Sequence, residues 1–189
     1  MKVPRRLALS ALVCALMTGR PAWAAPSFDP TSGVWVAEPR AFVGGVVPVG
    51  DAARIYGGAL GLGIGAAFGR PESRLRWRTS LEAQLATDVG AGASLSVYRA
   101  ALGAAFAWRG HLLTALDLGP SLRRLALGGE ISRSQLGGAL VAELGWRFRP
   151  EARWSVTLGV RGSVALYPGD AFQWSDLGAC LTLERLAHP

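Results

Sequence analysis

Residues Leu75 to Val89 read LRWRTSLEAQLATDV, and this stretch decides the fold. Leu75, Trp77, Thr79, Leu81, Ala83, Leu85, Thr87 and Val89 occupy the odd positions, while Arg76, Arg78, Ser80, Glu82, Gln84, Ala86 and Asp88 fill the even ones. A helix turns each residue by about 100° and would mix the two sets on one surface. A strand sends alternate residues to opposite faces, leaving one face apolar and the other charged. About fifteen alternating residues exceed the five or six of an ordinary soluble strand. They match a tilted membrane-crossing strand whose ends project beyond the lipid.

The same alternation recurs outward from this stretch. Upstream, Leu60, Leu62, Ile64, Ala66 and Phe68 oppose Gly61, Gly63, Gly65 and Ala67. As a helix, Ile55 to Phe68 would reach only about 21 Å, short of a hydrocarbon core of about 30 Å, so the strand reading holds. Downstream, Tyr98 to Trp108, Leu112 to Leu122, Leu136 to Phe148, Trp154 to Leu166 and Leu177 to Leu183 alternate in the same way. Pro120 cannot donate to a ladder and belongs near a strand end or at a bulge. A first strand falls near Ala41 to Val49, with Pro39 and Pro48 obscuring its register. Eight strands result.

Gly69–Ser73, Arg109–His111 and Pro150–Ala152 read as short turns, with Gly50–Arg54, Gly90–Ser94, Arg123–Arg133 and Pro168–Gln173 as the joints at the other end. Arg123–Arg133 is expected to be the longest loop. An even strand count leaves both termini on the short-turn side. The aromatic residues sort by end: Phe68, Trp77, Trp108, Trp146, Phe148 and Trp154 near the short turns, and Tyr56, Tyr98, Tyr167, Phe172 and Trp174 near the longer joints. Trp and Tyr favour the membrane–water boundary, so two clusters read as two girdles.

Ahead of the strands, Lys2, Arg5 and Arg6 precede an apolar run from Leu7 to Met17 and the small-residue pattern Ala22-Trp23-Ala24. This is the layout of a secretory signal peptide, residues 1–24. Residues 25–40 then form an N-terminal periplasmic segment and 41–186 the barrel. Loss of Lys2, Arg5, Arg6 and Arg20 with the leader lowers the formal charge from +7 to +3. The remaining arginines alternate with apolar residues rather than forming one patch, so a nucleic-acid partner is not expected. Cys180 is the one cysteine left, and stability must come from the sheet.

By this pattern the chain resembles the small eight-stranded outer-membrane β-barrels, the OmpA- and OmpX-like group, from about Ala41 to Arg185. The resemblance implies an all-β, antiparallel up-and-down transmembrane barrel in outer-membrane lipid, inserted by the barrel-assembly machinery. Such barrels usually end in an aromatic residue that this machinery reads; here the last residues are Leu183-Glu184-Arg185-Leu186-Ala187-His188-Pro189.

Lipid supplies no partners for peptide groups, so the sheet must close and its polar face must fill the interior. That assigns Arg76, Arg78, Glu82, Arg99, Asp117, Glu143, Arg161 and Glu184 to a paired interior network. A hairpin over Gly69 to Arg74 would set Phe68 against Leu75, Gly65 against Arg78 and Gly61 against Glu82, the glycines making room for long side chains. Arg99 should approach Glu82 and Gln84, and Arg161 should lie diagonal to Glu143. The network reads either as purely structural or as a selective polar path.

His111 and His188 fall in a turn and the tail, away from any serine and carboxylate at the outer rim, so no catalytic site is expected. Asp51, Asp88, Glu130, Asp170 and Asp176 read as solvated loop charges, and no cofactor or metal site is expected. The leading expectation is a non-enzymatic barrel with a structural or surface-interaction role, its ligand reached through Gly50–Arg54 and Arg123–Arg133. The alternatives are transport of small solutes or ions through the interior, and a secreted soluble β-barrel binder.

Overall fold

The structure is a computed structural model and describes residues 35–186 apart from 55, 71–72, 89–92, 109–110, 128–129 and 171–172. The expected leader, Phe172 and His188 lie outside the described residues. Eight strands form: β1 (Val36–Val49), β2 (Tyr56–Gly69), β3 (Leu75–Asp88), β4 (Ala93–Trp108), β5 (Leu112–Leu127), β6 (Glu130–Phe148), β7 (Trp154–Leu166) and β8 (Trp174–Arg185). Each pairs antiparallel with the next, and β1 pairs with β8 from Arg40↔Glu184 to Val49↔Ser175, so the sheet closes as an up-and-down barrel. Both ends of the described chain meet at the end carrying the β2–β3, β4–β5 and β6–β7 turns.

The two faces are sorted as the alternation demands. Leu81, Leu144 and Leu158 are 59%, 53% and 53% exposed, whereas Arg78, Glu82 and Arg161 are 2%, 6% and 5% exposed. A soluble barrel binder has the opposite arrangement, with its apolar faces turned onto a central ligand. That alternative is set aside, because so continuous an apolar exterior is solvated by acyl chains and not by water.

Four local expectations are corrected. Arg123–Arg133 is not a loop: β5 runs to Leu127 and β6 starts at Glu130, so the hairpin continues as sheet, with a register irregularity between Leu125 and Ala126. Alternation through Arg123 and Leu125 carries the ladder past the point where charge density suggested a break. The first strand starts at Val36 rather than near Ala41, because Pro39 faces outward and its missing N–H does not stop the pairing. The β2–β3 register is displaced by two residues, giving Phe68↔Trp77, Ala67↔Arg78 and Gly63↔Glu82. An even displacement keeps every side chain on its expected face. Pro120 sits inside β5, neither at its end nor at a bulge. The β4–β5 ladder is interrupted there, between Arg99↔Ser121 and Leu102↔Leu118, with the register unchanged.

Glycines let neighbours approach more than they clear space for charged chains. A Cβ at Gly63 would strike the Phe42 ring and the Leu81 carbonyl, and one at Gly103 would strike Leu116 O and the Asp117 carboxylate. Only the second serves the charged interior directly.

Leu81 lies midway along β3 on the outer face. Leu81→Arg is expected to destabilise the folded protein in lipid by about 2–4 kcal/mol, against about 0.5 kcal/mol for an ordinary exposed site in water. Urea titration of folding into phospholipid vesicles measures the difference.

Candidate functional site

Strand alternation delivers charged side chains from all round the barrel to one axis. Arg78 on β3 is held by a bidentate pair with Asp117 on β5 and by Glu143 on β6 at 2.8 Å. Glu143 also takes Arg40 of β1 at 3.3 Å. Glu82 pairs with Arg161 of β7 at 2.7 Å, a strut between strands on opposite sides of the ring, and lies 3.5 Å from Arg99. Arg99 continues to Asp176 of β8 at 2.9 Å. Toward the short turns, Arg147 meets Glu184 at 2.7 Å and Arg76 meets Glu38 at 3.4 Å. Arg161 and Glu143 are direct cross-strand partners rather than diagonal ones, and the guanidinium reaches across the lumen instead, stacking 4.3 Å over the Phe42 ring.

Removing a buried charge from water costs several kcal/mol, and only close, hydrogen-bonded counter-charges offset it. Three of these carboxylates are shared: Glu143 by two arginines, Glu82 by two, and Asp176 by Arg99, Ser163 at 2.6 Å and Trp174 at 2.7 Å, while Asp117 takes Arg78 through both oxygens. Sharing fills the lumen with cross-links between strands that are not sheet neighbours.

Above this layer the interior changes character. Ala52, Tyr56, Ala86, Leu95, Val97, Ala139, Ala165, Tyr167 and Trp174 form a buried apolar cluster at the end away from the termini. Tyr56 meets Trp174 edge-on with centroids 6.0 Å apart. The Trp174 indole N–H donates to Asp176 and, at 3.1 Å, to Gln84, so one side chain joins the apolar plug to the ionic layer. Tyr56, Tyr167 and Trp174, expected in the second girdle, are therefore interior: they are 4%, 1% and 0% exposed. Tyr98 stays outside at that end, as do Trp77, Trp108, Trp146, Phe148 and Trp154 at the other; Phe68 is half-buried there. Ring chemistry at strand ends suits a lipid boundary and a plug equally, and only register separates them.

The rim above the plug carries a cleft of about 170 Å³ lined by Tyr56, Leu95, Arg123, Leu125, Arg133, Gln135 and Asp170. Arg123 donates to Asp170 and Gln135 and lies 4.3 Å over the Tyr167 ring, whose hydroxyl is 2.9 Å from Ser121 Oγ. Burial pushes the Tyr167 phenol above its ordinary range. Arg133, more than half exposed, lies 3.8 Å from Asp170. Arg124, exposed outside the barrel, sits 5.8 Å over the Tyr98 ring. Of the expected solvated acids, Asp176 is buried and Asp170 is paired; the side chains of Asp51, Asp88 and Glu130 lie outside those described.

Glu38, Arg40 and Asp176 are network members the alternation missed. Extending the β8 pattern back from Gly178 reaches Asp176. Arg40 was hidden because Phe42 and Val46 also face inward and blur the β1 pattern. His111 stacks on Trp146 at 5.3 Å and bonds to the Arg147 carbonyl, a structural contact at the short-turn rim. Among the described residues no group of three side chains is placed to hold a metal ion.

No protein-family model and no curated protein sequence matches this chain. Solved structures share the fold. The crystal structure of Ail, the attachment invasion locus protein of Yersinia pestis, aligns with a TM-score of 0.54 and 11% identity over 79% of this chain and 97% of Ail. The N-terminal β-barrel domain of Pseudomonas aeruginosa OprF aligns at 0.51 and 12% identity over 78% and 96%. Ail has also been crystallised with the heparin analogue sucrose octasulfate; that structure aligns at 0.52 and 12% identity over 79% and 97%. The chain thus has the fold of small eight-stranded outer-membrane barrels.

Arg78 is the natural point at which to break the network. Arg78→Ala leaves Asp117 and Glu143 without their shared cation and is expected to cost about 3–5 kcal/mol. Adding Asp117→Asn and Glu143→Gln should recover part of that loss. Urea unfolding of the lipid-inserted protein reads both changes.

Proposed function

We propose that the chain is a non-enzymatic outer-membrane β-barrel whose role is structural or surface-interacting, acting through the rim that carries the 170 Å³ cleft. Residues 1–24 act as the export leader, the segment between the leader and β1 lies in the periplasm, and the barrel-assembly machinery inserts the strands from Val36 onward. The short-turn end, where the described chain starts and finishes, faces the periplasm, which turns the cleft outward.

The observation that carries this reading is the double closure of the lumen. Arg40, Arg78, Arg99 and Arg161 cross it in ion pairs, and the Tyr56–Trp174 plug seals it above. A solute would have to part several buried ion pairs at once, each costing several kcal/mol. Transport through the interior is therefore disfavoured, and the rim is left as the working surface.

An anionic surface ligand would find the exposed Arg54, Arg124 and Arg133 at this rim, beside the acids Asp51, Asp88, Glu130 and Asp170 of the same joints. A sulfated oligosaccharide is the apt probe, since a barrel of the same fold has been seen with one. In planar bilayers the protein should give no single-channel steps; reproducible steps would overturn this reading. Arg54→Gln, Arg124→Gln and Arg133→Gln together should shift elution from an immobilised sulfated glycan to lower salt, because each exposed cation contributes about 1 kcal/mol or less.

A further inference from the structure

The short-turn rim holds arginines that the interior network does not use. Arg76 and Arg147 turn inward to Glu38 and Glu184. Arg70 and Arg74, flanking the β2–β3 turn, and Arg149 and Arg153, flanking the β6–β7 turn, are exposed. These four form no ion pair among the described residues. Glu151 is the exposed acid described on this rim, and Glu72 lies outside the described residues. In the sequence Arg109 and Arg185 add further positive charge to the same end, so the basic excess stands whatever Glu72 does.

Three features make this more than scattered surface charge. First, the backbone under each arginine is pinned. The carbonyls of Arg70, Arg74, Arg149 and Arg153 accept hydrogen bonds from Ser73, Ala107, Ala152 and Leu186 at 3.0, 2.9, 3.0 and 2.9 Å. Second, Arg149 has φ +51°, a left-handed conformation that glycine adopts freely and other residues adopt at a cost. A long cation occupies a position whose backbone favours no side chain. Third, three of the arginines lie just beyond half-exposed rings: Arg74 precedes Trp77 by three residues, Arg149 follows Phe148, and Arg153 precedes Trp154. Trp rings settle at the lipid–water boundary, so a guanidinium one to three residues further out lies roughly 3–10 Å beyond, at phosphate depth.

The β2–β3 and β6–β7 turns are four strands apart in the closed ring and so face opposite directions. We propose that the two arginine pairs form a collar that binds the phosphates of anionic phospholipids on opposite sides of the barrel, fixing its depth and tilt. The guanidinium N–H groups donate and the phosphate oxygens accept, in the forked geometry that arginine suits. The collar rests on the membrane reading, and a barrel that fails to insert would show itself separately by losing slow migration on unboiled detergent gels.

The test uses the refolded protein in phosphatidylcholine nanodiscs with and without phosphatidylglycerol, counting retained lipids by native mass spectrometry. The wild type should retain phosphatidylglycerol over phosphatidylcholine by a factor on the order of ten, less as salt rises above about 0.15 M. Arg70→Gln, Arg74→Gln, Arg149→Gln and Arg153→Gln combined should abolish the preference, and either pair alone should reduce it. Arg149→Gly should raise the unfolding midpoint while lowering retention, a split that a purely structural arginine would not give. The opposite-rim variant Arg54→Gln/Arg124→Gln/Arg133→Gln should retain the preference. Equal retention of the two lipids by the wild type, or a preference surviving in the four-arginine variant, would overturn the proposal.

Discussion

A peptide group among acyl chains finds hydrogen-bond partners only on the strands beside it. Everything in this molecule follows from that constraint. The sheet must close, so β1 meets β8. One face of every strand must then be apolar, and the other is enclosed in a volume too narrow for bulk water. The charges on that enclosed face have no solvent to fall back on and must find one another.

The way they do so explains both strength and closure. Sheet hydrogen bonds link only neighbouring strands, whereas the Arg161–Glu82 and Arg40–Glu143 pairs link strands well apart in the ring. The lumen is thereby braced across its width. The same side chains that satisfy the inner face also obstruct it, so bracing and permeability are opposed. Trp174 belongs to the apolar plug and bonds to Asp176 and Gln84 of the ionic layer, so one side chain spans both.

The interior holds the cylinder together, and the two rims differ in kind. At the cleft rim, β5 and β6 extend as sheet and present Arg123 and Arg133 around Asp170. At the short-turn rim, arginines stand beyond a ring of Trp and Phe, an arrangement suited to a planar array of headgroups.

The sequence by itself determined the strand count, the facing of each strand and hence the membership of Arg78, Glu82, Arg99, Asp117, Glu143 and Arg161 in the interior, because a period of two is a local property of the chain. It did not determine which charges pair. Arg161 passes its cross-strand neighbour Glu143 and takes Glu82 from the far wall, a choice made by lumen diameter and strand register. It placed Tyr56, Tyr167 and Trp174 correctly at one end but on the wrong side of the sheet, and it mistook the β5–β6 extension for a loop. Those outcomes depend on which residues closure brings face to face. Only the closed barrel fixes that, since distance across the lumen is set by all eight strands together and is written in none of them singly.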